Sequence, residues 1–384
     1  MKQRSILMAF FVVFLVWSCS DSSDSPVVEE PETKEPTEEY DTWTGLQIVM
    51  FTPSDVELPA DYKERMQEVT EYSDWFFKKW MNHWGYNCEN PLKIQKDADG
   101  YPVMWRIKGK YTQSSGKYDE LGYAKSEVIP EAINKYGIPE KNQTWWVISY
   151  PGPSSKAYRG GGDFQGGTAS ANFTPNTGSI IEPGDDNLAA GTAVEFKLKA
   201  VIHELTHALG LGHIGPLEMD NLGNSLMGPT IKSYHKNYPD DDRVYLTKAS
   251  AAMLWKHPLF DGNYDHVNTV PTIQMTDFQA SYDDQTNVLQ LSGKLASNYA
   301  AHSVVIANDT NGDKPDYWRK TFVGEVADDG TFTCDIFELN KASGKLVIAF
   351  CFDNGAISGV TGKLGLGKGI EKTYTFENGT YLFN

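Results

Sequence analysis

Apolar side chains recur every three or four residues between residues 58 and 85, which is the spacing of an α-helix with one buried face. The preceding run, LQIVMF, is almost uninterrupted in its apolar character and predicts a buried strand. Further strands are predicted at YPVMWRIKGKYT and TWWVISYPG, with a helix at SEVIPEAINKYG between them. The predicted long helix has a core-facing stripe of Tyr62, Met66, Val69, Phe76, Phe77, Trp80 and Trp84.

The middle of the chain contains two more predicted helices. A glycine-rich stretch, YRGGGDFQGGTASANF, comes first. A second long helix is predicted to start near Gly191. A third, LTKASAAMLWKH, begins at a threonine-containing start and ends before Pro258.

The pattern changes near residue 272. From there to the end, short strand-like runs such as VLQLSGKL, HSVVIANDT and LVIAFCF are separated by turn signals such as ADDG and FDNG. This pattern is typical of an all-β sandwich. The sequence therefore predicts an α+β domain with long helices over residues 43–265, followed by a sandwich-like domain over residues 272–384.

The N-terminus, MKQRSILMAFFVVFLVWSCS, has a basic start and an apolar run that suits a signal-peptide core but is too short to span a bilayer. Its end, Val16 to Cys19, resembles the lipobox of bacterial lipoproteins. The alternative is an ordinary cleaved signal with a chance cysteine. The resemblance implies a signal peptide over residues 1–19 and a lipid anchor on Cys19. Because Ser20 follows the cysteine, we expect an outer-membrane lipoprotein. Asp21 and Asp24 resemble the export signals of surface-exposed lipoproteins, so exposure at the cell surface is expected.

The amino-acid composition indicates a disordered segment and excludes one class of binding partner. Residues 20–42 are acidic and contain proline, which predicts a disordered tether. The net charge of −17 argues against a nucleic-acid partner, because phosphate binding needs clustered lysine and arginine.

If the runs around Cys334 and Cys351 pair as a hairpin, the two thiols face each other; a disulfide and two buried free thiols both remain open. A monomer is expected.

Three of the eight histidines of the chain lie within one short stretch, HELTHALGLGH. His203 and His207 are one helical turn apart, so both imidazoles leave the same helix face and can bind one ion. Glu204 can reach the open side of that ion without binding it. Gly210 permits the turn that ends the helix and brings in His213 as a third ligand. Three neutral imidazoles with one open position are what a catalytic zinc requires.

The stretch matches His-Glu-x-x-His-x-x-Gly-x-x-His, and the chain is similar to the metzincin metallopeptidases, whose zinc motif this is. SLMGP, with Met227, resembles the Met-turn that forms the floor of the zinc site in that family. The short gap between His213 and Met227 is similar to that of matrixins, although GPLEMDNLGN makes it several residues longer. The resemblance covers roughly residues 43–262. It implies a metzincin-like fold with a twisted mixed sheet and long helices. It also implies one catalytic zinc and an endopeptidase in which Glu204 is the general base.

The same resemblance implies where a peptide substrate lies. GGTASANF looks like the antiparallel edge strand above the cleft, to which a substrate adds by β-augmentation. The segment after the Met-turn is expected to wall an apolar pocket for the residue that follows the cut. These expectations name Thr168, Ala169, Ser170, Ala171, Pro229, Thr230 and Ile231 as substrate-binding residues.

Calcium has two candidate sites. RGGGDFQGG resembles a matrixin calcium loop, with a glycine-rich surface turn as the alternative. NDTNGDKPD spaces Asp309, Asn311 and Asp313 suggestively, but its glycine is misplaced for a calcium-binding loop, which favours a β-turn. Ser170 stands where matrixins carry a histidine for a structural zinc, so a second zinc is not expected.

Two functions from different classes follow. The first is a zinc endopeptidase that acts on extracellular proteins or glycoproteins. The second is a surface lipoprotein that binds glycan or mucin and carries a degenerate metallopeptidase domain. Exposed aromatic residues at Tyr317 and Trp318 would stack on sugars in the second case; hairpin packing is the alternative for those two rings. Intact catalytic positions favour the peptidase.

Overall fold

The computed structural model describes residues 42–119, 121–150, 157–176, 178–310, 315–360 and 363–384. The predicted signal peptide, Cys19 and nearly all of the tether lie outside these residues, so the statements about them stay predictions. Residues 42–384 form one compact unit. In the described part of the chain, no helix is both long enough and apolar enough to cross a bilayer.

The N-terminal half is built on a five-stranded sheet. Its strands are β1 (Leu46–Thr52), β2 (Trp105–Lys108), β3 (Thr144–Ser149), β4 (Arg159–Asp163) and β5 (Gly166–Asn172). The spatial order is β2-β1-β3-β5-β4. All neighbours run parallel except β4, which is antiparallel to β5. Strands β1 and β3 are buried along their whole length, as their continuous apolar runs predict for the centre of a parallel sheet.

Helices cover this sheet. A π-helical turn, Ala124–Val128, leads directly into the helix that begins at Ile129. A two-stranded ladder joins β6 (Asn224–Ser225) and β7 (Val244–Tyr245), which lie on either side of the short helix Ile231–Tyr234 in the sequence. The predicted stripe of the first helix is confirmed, since Met66, Val69, Phe76 and Phe77 are fully buried. The helices are α1 (Tyr62–His83), α2 (Ile129–Tyr136), α3 (Gly191–Phe196), α4 (Leu198–Ala208), α5 (Ile231–Tyr234), α6 (Lys248–Leu254) and α7 (Pro258–Asp261).

The prediction of one long helix from Gly191 is wrong. The chain forms α3 and α4, which are separated by Lys197 in the left-handed conformation at φ 58°. A left-handed residue interrupts the helical hydrogen-bond ladder, so the second helix starts on a new axis. The third predicted helix is confirmed as α6, and the Thr247 hydroxyl caps it by accepting from the Ser250 N–H.

The prediction that GGTASANF forms the antiparallel edge strand is also wrong. That segment is β5, an inner strand that pairs in parallel with β3 on one side. The edge strand is β4, formed by the RGGGD run, which pairs only with β5 among the described residues. The glycine run has the composition of a loop, but it forms a strand. Its glycines allow that strand to pass very close to helix α4.

The C-terminal half is rich in strands, as predicted. It contains β8 (Gln274–Asp283), β9 (Val288–Ala296), β10 (Ala301–Thr310), α8 (Pro315–Trp318), β11 (Lys320–Glu325), β12 (Thr331–Ile336), β13 (Gly344–Phe352), β14 (Ile357–Val360), β15 (Lys363–Leu364), β16 (Ile370–Glu377) and β17 (Thr380–Phe383). A seven-stranded sheet contains β10, β11 and β13–β17, and a three-stranded sheet has the order β12-β9-β8.

The central strands of the seven-stranded sheet, β10 and β13, are buried on both faces. Along β10, Val304 and Ile306 point into a core shared with the three-stranded sheet. Val305 and Ala307, which alternate with them, belong to the core of the N-terminal half. Alternation along a strand sends successive side chains to opposite faces, so this one sheet closes two cores. The change of pattern near residue 272 thus marks a change of secondary structure within one compact unit.

The two cysteine-containing runs do not pair as a hairpin. Cys334 lies on β12, which pairs with β9, whereas Cys351 lies on β13, which pairs with β10. The two side chains belong to different cores. Both are buried free thiols, as is Cys88, so of the two alternatives left open by the sequence the structure selects the second.

Candidate metal centre

Helix α4 presents His203 and His207 beside the edge strand. Strand β4 lies so close to the helix that a Cβ atom at Gly160 would overlap the carbonyl oxygen of Glu204 and lie 2.6 Å from Cβ of His207. Gly162 meets the carbonyl of Ala208 in the same way. The glycines of the RGGGD run therefore allow the edge strand to pack directly on the histidine-bearing turns.

The turn after α4 brings in the third histidine, as the motif predicts. Gly210 has φ 92°, a conformation that an L side chain rarely adopts. The chain reverses there, and the imidazole rings of His207 and His213 come to a centroid separation of 4.9 Å. The ring of His203 completes the group, 4.5 Å from that of His207.

Each of the three rings is oriented through its Nδ1 atom. His203 Nδ1 lies 2.8 Å from the carbonyl oxygen of Leu226. His207 Nδ1 lies 2.7 Å from that of Leu211. Because a carbonyl oxygen only accepts, Nδ1 carries the proton in both rings. Nε2 is then the atom left to face the centre of the group.

The donor set fits a metal ion. Burial lowers the pKa of His203 well below its usual value and also lowers that of His207, so both rings are neutral near pH 7. Nε2 of His207 lies 3.1 Å from Nε2 of His213. Two ring nitrogens from different segments therefore meet at the middle of the group, and ligand atoms of all three histidines are within 4.8 Å of one another. Glu204 lies outside this cluster, as expected for a residue that does not bind the ion.

The turn predicted as a Met-turn supports the first ligand. Gly228 N–H donates to the carbonyl of Ser225 at 3.1 Å and closes the turn. The Ser225 hydroxyl donates to the carbonyl of Ile214 at 2.6 Å, which ties the turn to the segment after His213. The carbonyl of Leu226 in this turn is the one that orients His203. Met227 is only 1% exposed and belongs to the core.

Glu204 is a half-buried carboxyl beside the histidines. Burial raises the pKa of Glu204 to about 7, so the group can both accept and release a proton near neutral pH. Burial also raises the pKa of Tyr158 to about 12, and the charge of Glu204 adds to that shift. A cation held by the histidines would lower the pKa of Glu204 again.

The segment after the Met-turn is held by a buried lysine that the sequence analysis did not identify. The Lys199 ammonium donates to the carbonyl of Pro229 at 2.9 Å and to that of Gly228 at 3.3 Å. Burial lowers the pKa of Lys199 to about 7. Thr230 caps the short helix α5, whose first residue, Ile231, is half-buried.

The four residues expected to bind substrate on β5 do not lie on a free edge. Ala169 and Ala171 are buried in the core of the N-terminal half. Thr168 and Ser170 alternate with them and line a cavity of about 200 Å³ together with Arg159. Strand β4 separates β5 from the edge, so the prediction that β5 offers its main chain to a substrate is wrong.

Neither calcium hypothesis gains support. The RGGGDFQGG segment forms β4, a turn closed by the Gln165 N–H on the Asp163 carboxylate at 2.8 Å, and the start of β5. In the second segment, both carboxylate oxygens of Asp309 accept from the Arg319 guanidinium at 2.7 Å. Asn311 and Asp313 lie outside the described residues.

The C-terminal half adds two residues to the centre. Oδ1 of Asp316 lies 2.6 Å from Nδ1 of His213. The ring of Tyr317 stacks on the His213 ring, with centroids 3.8 Å apart and planes inclined by 26°. Trp318 stacks near Tyr234, at a centroid distance of 6.3 Å. From the sequence, sugar binding and hairpin packing were the roles expected for the two aromatic residues. No sequence signal marks Asp316, because no local spacing links it to the histidines.

No protein-family model matches the chain, and neither does any curated protein. Solved structures do match. The crystal structure of wild-type OgpA from Akkermansia muciniphila superposes with a TM-score of 0.65 at 18% identity, covering 94% of this chain and 100% of that one. A catalytically inactive OgpA in complex with an O-glycopeptide substrate, glycodrosocin, matches with a TM-score of 0.65 at 17% identity, covering 92% of this chain and 98% of that one. Both N-terminal and C-terminal halves of this chain thus share their arrangement with OgpA.

Proposed function

We propose that this protein is a zinc-dependent endopeptidase of the metzincin type that cleaves the polypeptide of glycoproteins. The observation that carries the proposal is the convergence of three imidazole side chains beside a half-buried carboxyl that is not one of the ligands. Three histidines with an open fourth position are the donor set of catalytic zinc rather than structural zinc. His203, His207 and His213 would hold the ion, which would supply Lewis acidity toward a peptide carbonyl.

Glu204 performs the proton transfers. Its carboxylate accepts a proton from the attacking water and then donates that proton to the nitrogen of the departing amine. Burial raises the pKa of this group to about 7 and a bound cation lowers it again, so the carboxylate is ready to accept a proton near neutral pH. Its position follows from the helix, because the residue next to His203 is turned about 100° from it and stays clear of the ligand face.

The outer edge of β4 is the place where a substrate strand adds. Its other edge is bound to β5, and its glycines rest on α4 beside His207. A peptide that pairs with this free edge by main-chain hydrogen bonds runs past Glu204. The segment Pro229–Ile231, which Lys199 of α4 holds by its Pro229 carbonyl, walls the neighbouring pocket.

Two observations support a glycosylated substrate. OgpA, which has the same fold, has been crystallised with an O-glycopeptide substrate. In this chain, a cavity of about 570 Å³ lies beside helix α8 and is lined by Trp318, Tyr234, Asp241, Asn308 and Glu338 among others. Aromatic rings next to carboxylates and amides are suited to a sugar, which offers both an apolar face and many hydroxyl groups.

The test compares one O-glycosylated protein before and after enzymatic deglycosylation. Wild-type protein with one bound zinc should cut the glycosylated form, and a chelator should abolish the cleavage. Glu204→Gln should keep the zinc and lose 10²- to 10⁴-fold in rate, typical for a positioned base. His207→Ala should lose both zinc and hydrolysis. Equal cleavage of the deglycosylated form would remove the glycan from the proposal, and full activity of Glu204→Gln would remove the mechanism.

The proposal places the enzyme on the cell surface through a lipid on Cys19. Cys19→Ala should release soluble protein from the membrane fraction. A wild-type protein that is already soluble, with its N-terminus cut elsewhere, would contradict the anchor without touching the peptidase.

A further inference from the structure

Helix α8 connects the C-terminal sheet to the metal centre and is fixed there by the chain around it. The Gly215 N–H donates to the carbonyl of Arg319 at 2.8 Å, directly after the helix. The Arg319 side chain is itself held by two hydrogen bonds of 2.7 Å to Asp309 at the end of β10. A Cβ atom at Gly215 would lie 2.7 Å from Cα of Trp318, so this glycine admits the helix.

This placement brings a carboxylate to the third histidine. The Asp316 Oδ1 atom lies 2.6 Å from Nδ1 of His213, which is the distance of a short, charge-assisted hydrogen bond. Since the carboxylate accepts, Nδ1 carries a proton, and Nε2 is the ring nitrogen left to face an ion. Carbonyl oxygens of the N-terminal half do the same for the other two histidines.

We propose that Asp316 is a positioning residue for the metal ligand His213, so that the C-terminal half completes the metal centre. The inference rests on the proposed metal site, although not on peptide hydrolysis. Acceptors on the second nitrogen of a ligating histidine fix its tautomer and orientation and raise its basicity. Asp316 supplies that acceptor to the one ligand that lies after the helix.

The exposure of the pair separates this role from a structural one. The Asp316 side chain is 72% exposed and that of His213 is 23% exposed. Exposed ion pairs contribute little to folding stability, because water screens them and two side chains must be ordered. Removal of the carboxylate is therefore expected to change metal binding much more than unfolding.

Tyr317 supports the same ligand from its face. Its ring lies 3.8 Å from that of His213 and also lies nearly parallel to the more distant ring of His203, at 6.3 Å. Stacking restricts rotation of the imidazole out of the plane that Asp316 selects. Tyr317→Phe keeps the ring and is expected to bind zinc like the wild type.

The experiment measures zinc affinity by competition with a chromophoric chelator, and the thermal unfolding of each metal-free protein. Asp316→Ala should bind zinc about 10- to 100-fold more weakly, as is typical when such a partner is removed. Asp316→Asn should recover most of that loss because its amide oxygen still accepts. Asp242→Ala is the matched control, since Asp242 lies 3.2 Å from Nε2 of His235, which is not a ligand, and is also exposed. Metal-free Asp316→Ala should unfold at the wild-type temperature.

The outcomes separate this inference from the proposed function. Wild-type zinc affinity in Asp316→Ala would overturn the inference alone. A weaker affinity that is accompanied by an equal loss of stability in the metal-free protein, and that Asp316→Asn does not recover, would also overturn it, because the role would then be structural. A wild-type protein that binds no zinc would overturn both proposals. The expected affinities in a protein that cuts no peptide would support the inference and reject the peptidase.

Discussion

The metal centre takes its geometry from two regions that work by different means. The N-terminal half positions His203 and His207 with main-chain groups, namely the carbonyls of Leu226 and Leu211 and the glycine strand β4. The C-terminal half contributes side chains, and the Asp316 carboxylate and the Tyr317 ring contact only His213 closely. Main-chain contacts of this kind depend on where the backbone runs and tolerate almost no added volume. Side-chain contacts can be removed one at a time without moving the fold.

The first prediction tests the main-chain half and carries the largest effect. Gly160→Ala places a Cβ atom against the Glu204 carbonyl and Cβ of His207, so β4 must move away from α4. A displacement of about 1 Å at reacting groups costs about 100-fold in rate, and peptide hydrolysis by Gly160→Ala should fall by at least that much.

Gly161→Ala is the control for that change. It lies on the same strand, has no atom within 4 Å of its added Cβ and does not need a left-handed backbone. Because its added methyl group displaces no atom, Gly161→Ala should keep the zinc affinity and the unfolding temperature of the wild type. If both variants keep full activity, strand β4 does not determine the position of the catalytic groups.

The second prediction concerns the junction between the halves. His257 is buried at the start of α7, and Gly355 of the C-terminal half packs on its backbone. Its Nδ1 accepts from the Leu259 N–H at 3.2 Å, which requires a neutral ring, and burial lowers its pKa to about 4. The unfolded chain therefore binds one more proton than the folded protein between pH 6.5 and pH 4, so stability falls as the pH falls through that window.

The loss from this one residue is about 2 kcal/mol between pH 7.5 and pH 5, from the difference between a pKa of about 6.5 and one of about 4. Urea unfolding at several pH values measures it. His257→Asn cannot titrate and can still cap α7, so its stability should depend less on pH over this range. An unchanged slope would mean that His257 is not the residue that makes the junction sensitive to acid.

The third prediction tests another main-chain contact. Lys199 is a buried cation whose ammonium is satisfied by carbonyl oxygens, and its pKa is lowered to about 7. The unfolded state holds the proton up to about pH 10.4, so this group destabilises the protein at low pH and the penalty shrinks as the pH rises from 7 toward 10. Lys199→Met should raise the free energy of unfolding by about 1 kcal/mol at pH 6 and by less at pH 9. A decrease at pH 6 would show that the two hydrogen bonds outweigh desolvation.

The smallest expected effect concerns the buried thiols of Cys334 and Cys351, which lie in the two cores that the seven-stranded sheet separates. Because Cys334 and Cys351 lie in different cores as free thiols, a reducing agent should leave the unfolding temperature unchanged. Thiol titration of the denatured protein should find both cysteines reactive. A fall in unfolding temperature on reduction would mean that the sheets pair differently.

The sequence predicted features that depend on local spacing. The histidine motif, the stripe of α1 and the strands of the C-terminal half all follow from periodicity within a few turns or residues, and the structure contains each of them. The strand β4 could not be predicted from the sequence, because glycine is rare in strands. The glycines are needed for the close contact between β4 and α4, which is a tertiary contact. Lys199 and Asp316 could not be predicted for a similar reason, since each acts on a residue that only the fold brings near.

Asp316 is synthesised long after the histidine whose ring it orients. It follows His213 by 103 residues in the chain. A ribosome therefore completes α4 and all three histidines well before the carboxylate that orients the third of them has been synthesised. The last strands must also be made before the seven-stranded sheet can close both cores. A chain that stops before α8 thus carries the histidine motif without its finished geometry, and the nascent protein completes the proposed metal centre only after α8 has been synthesised.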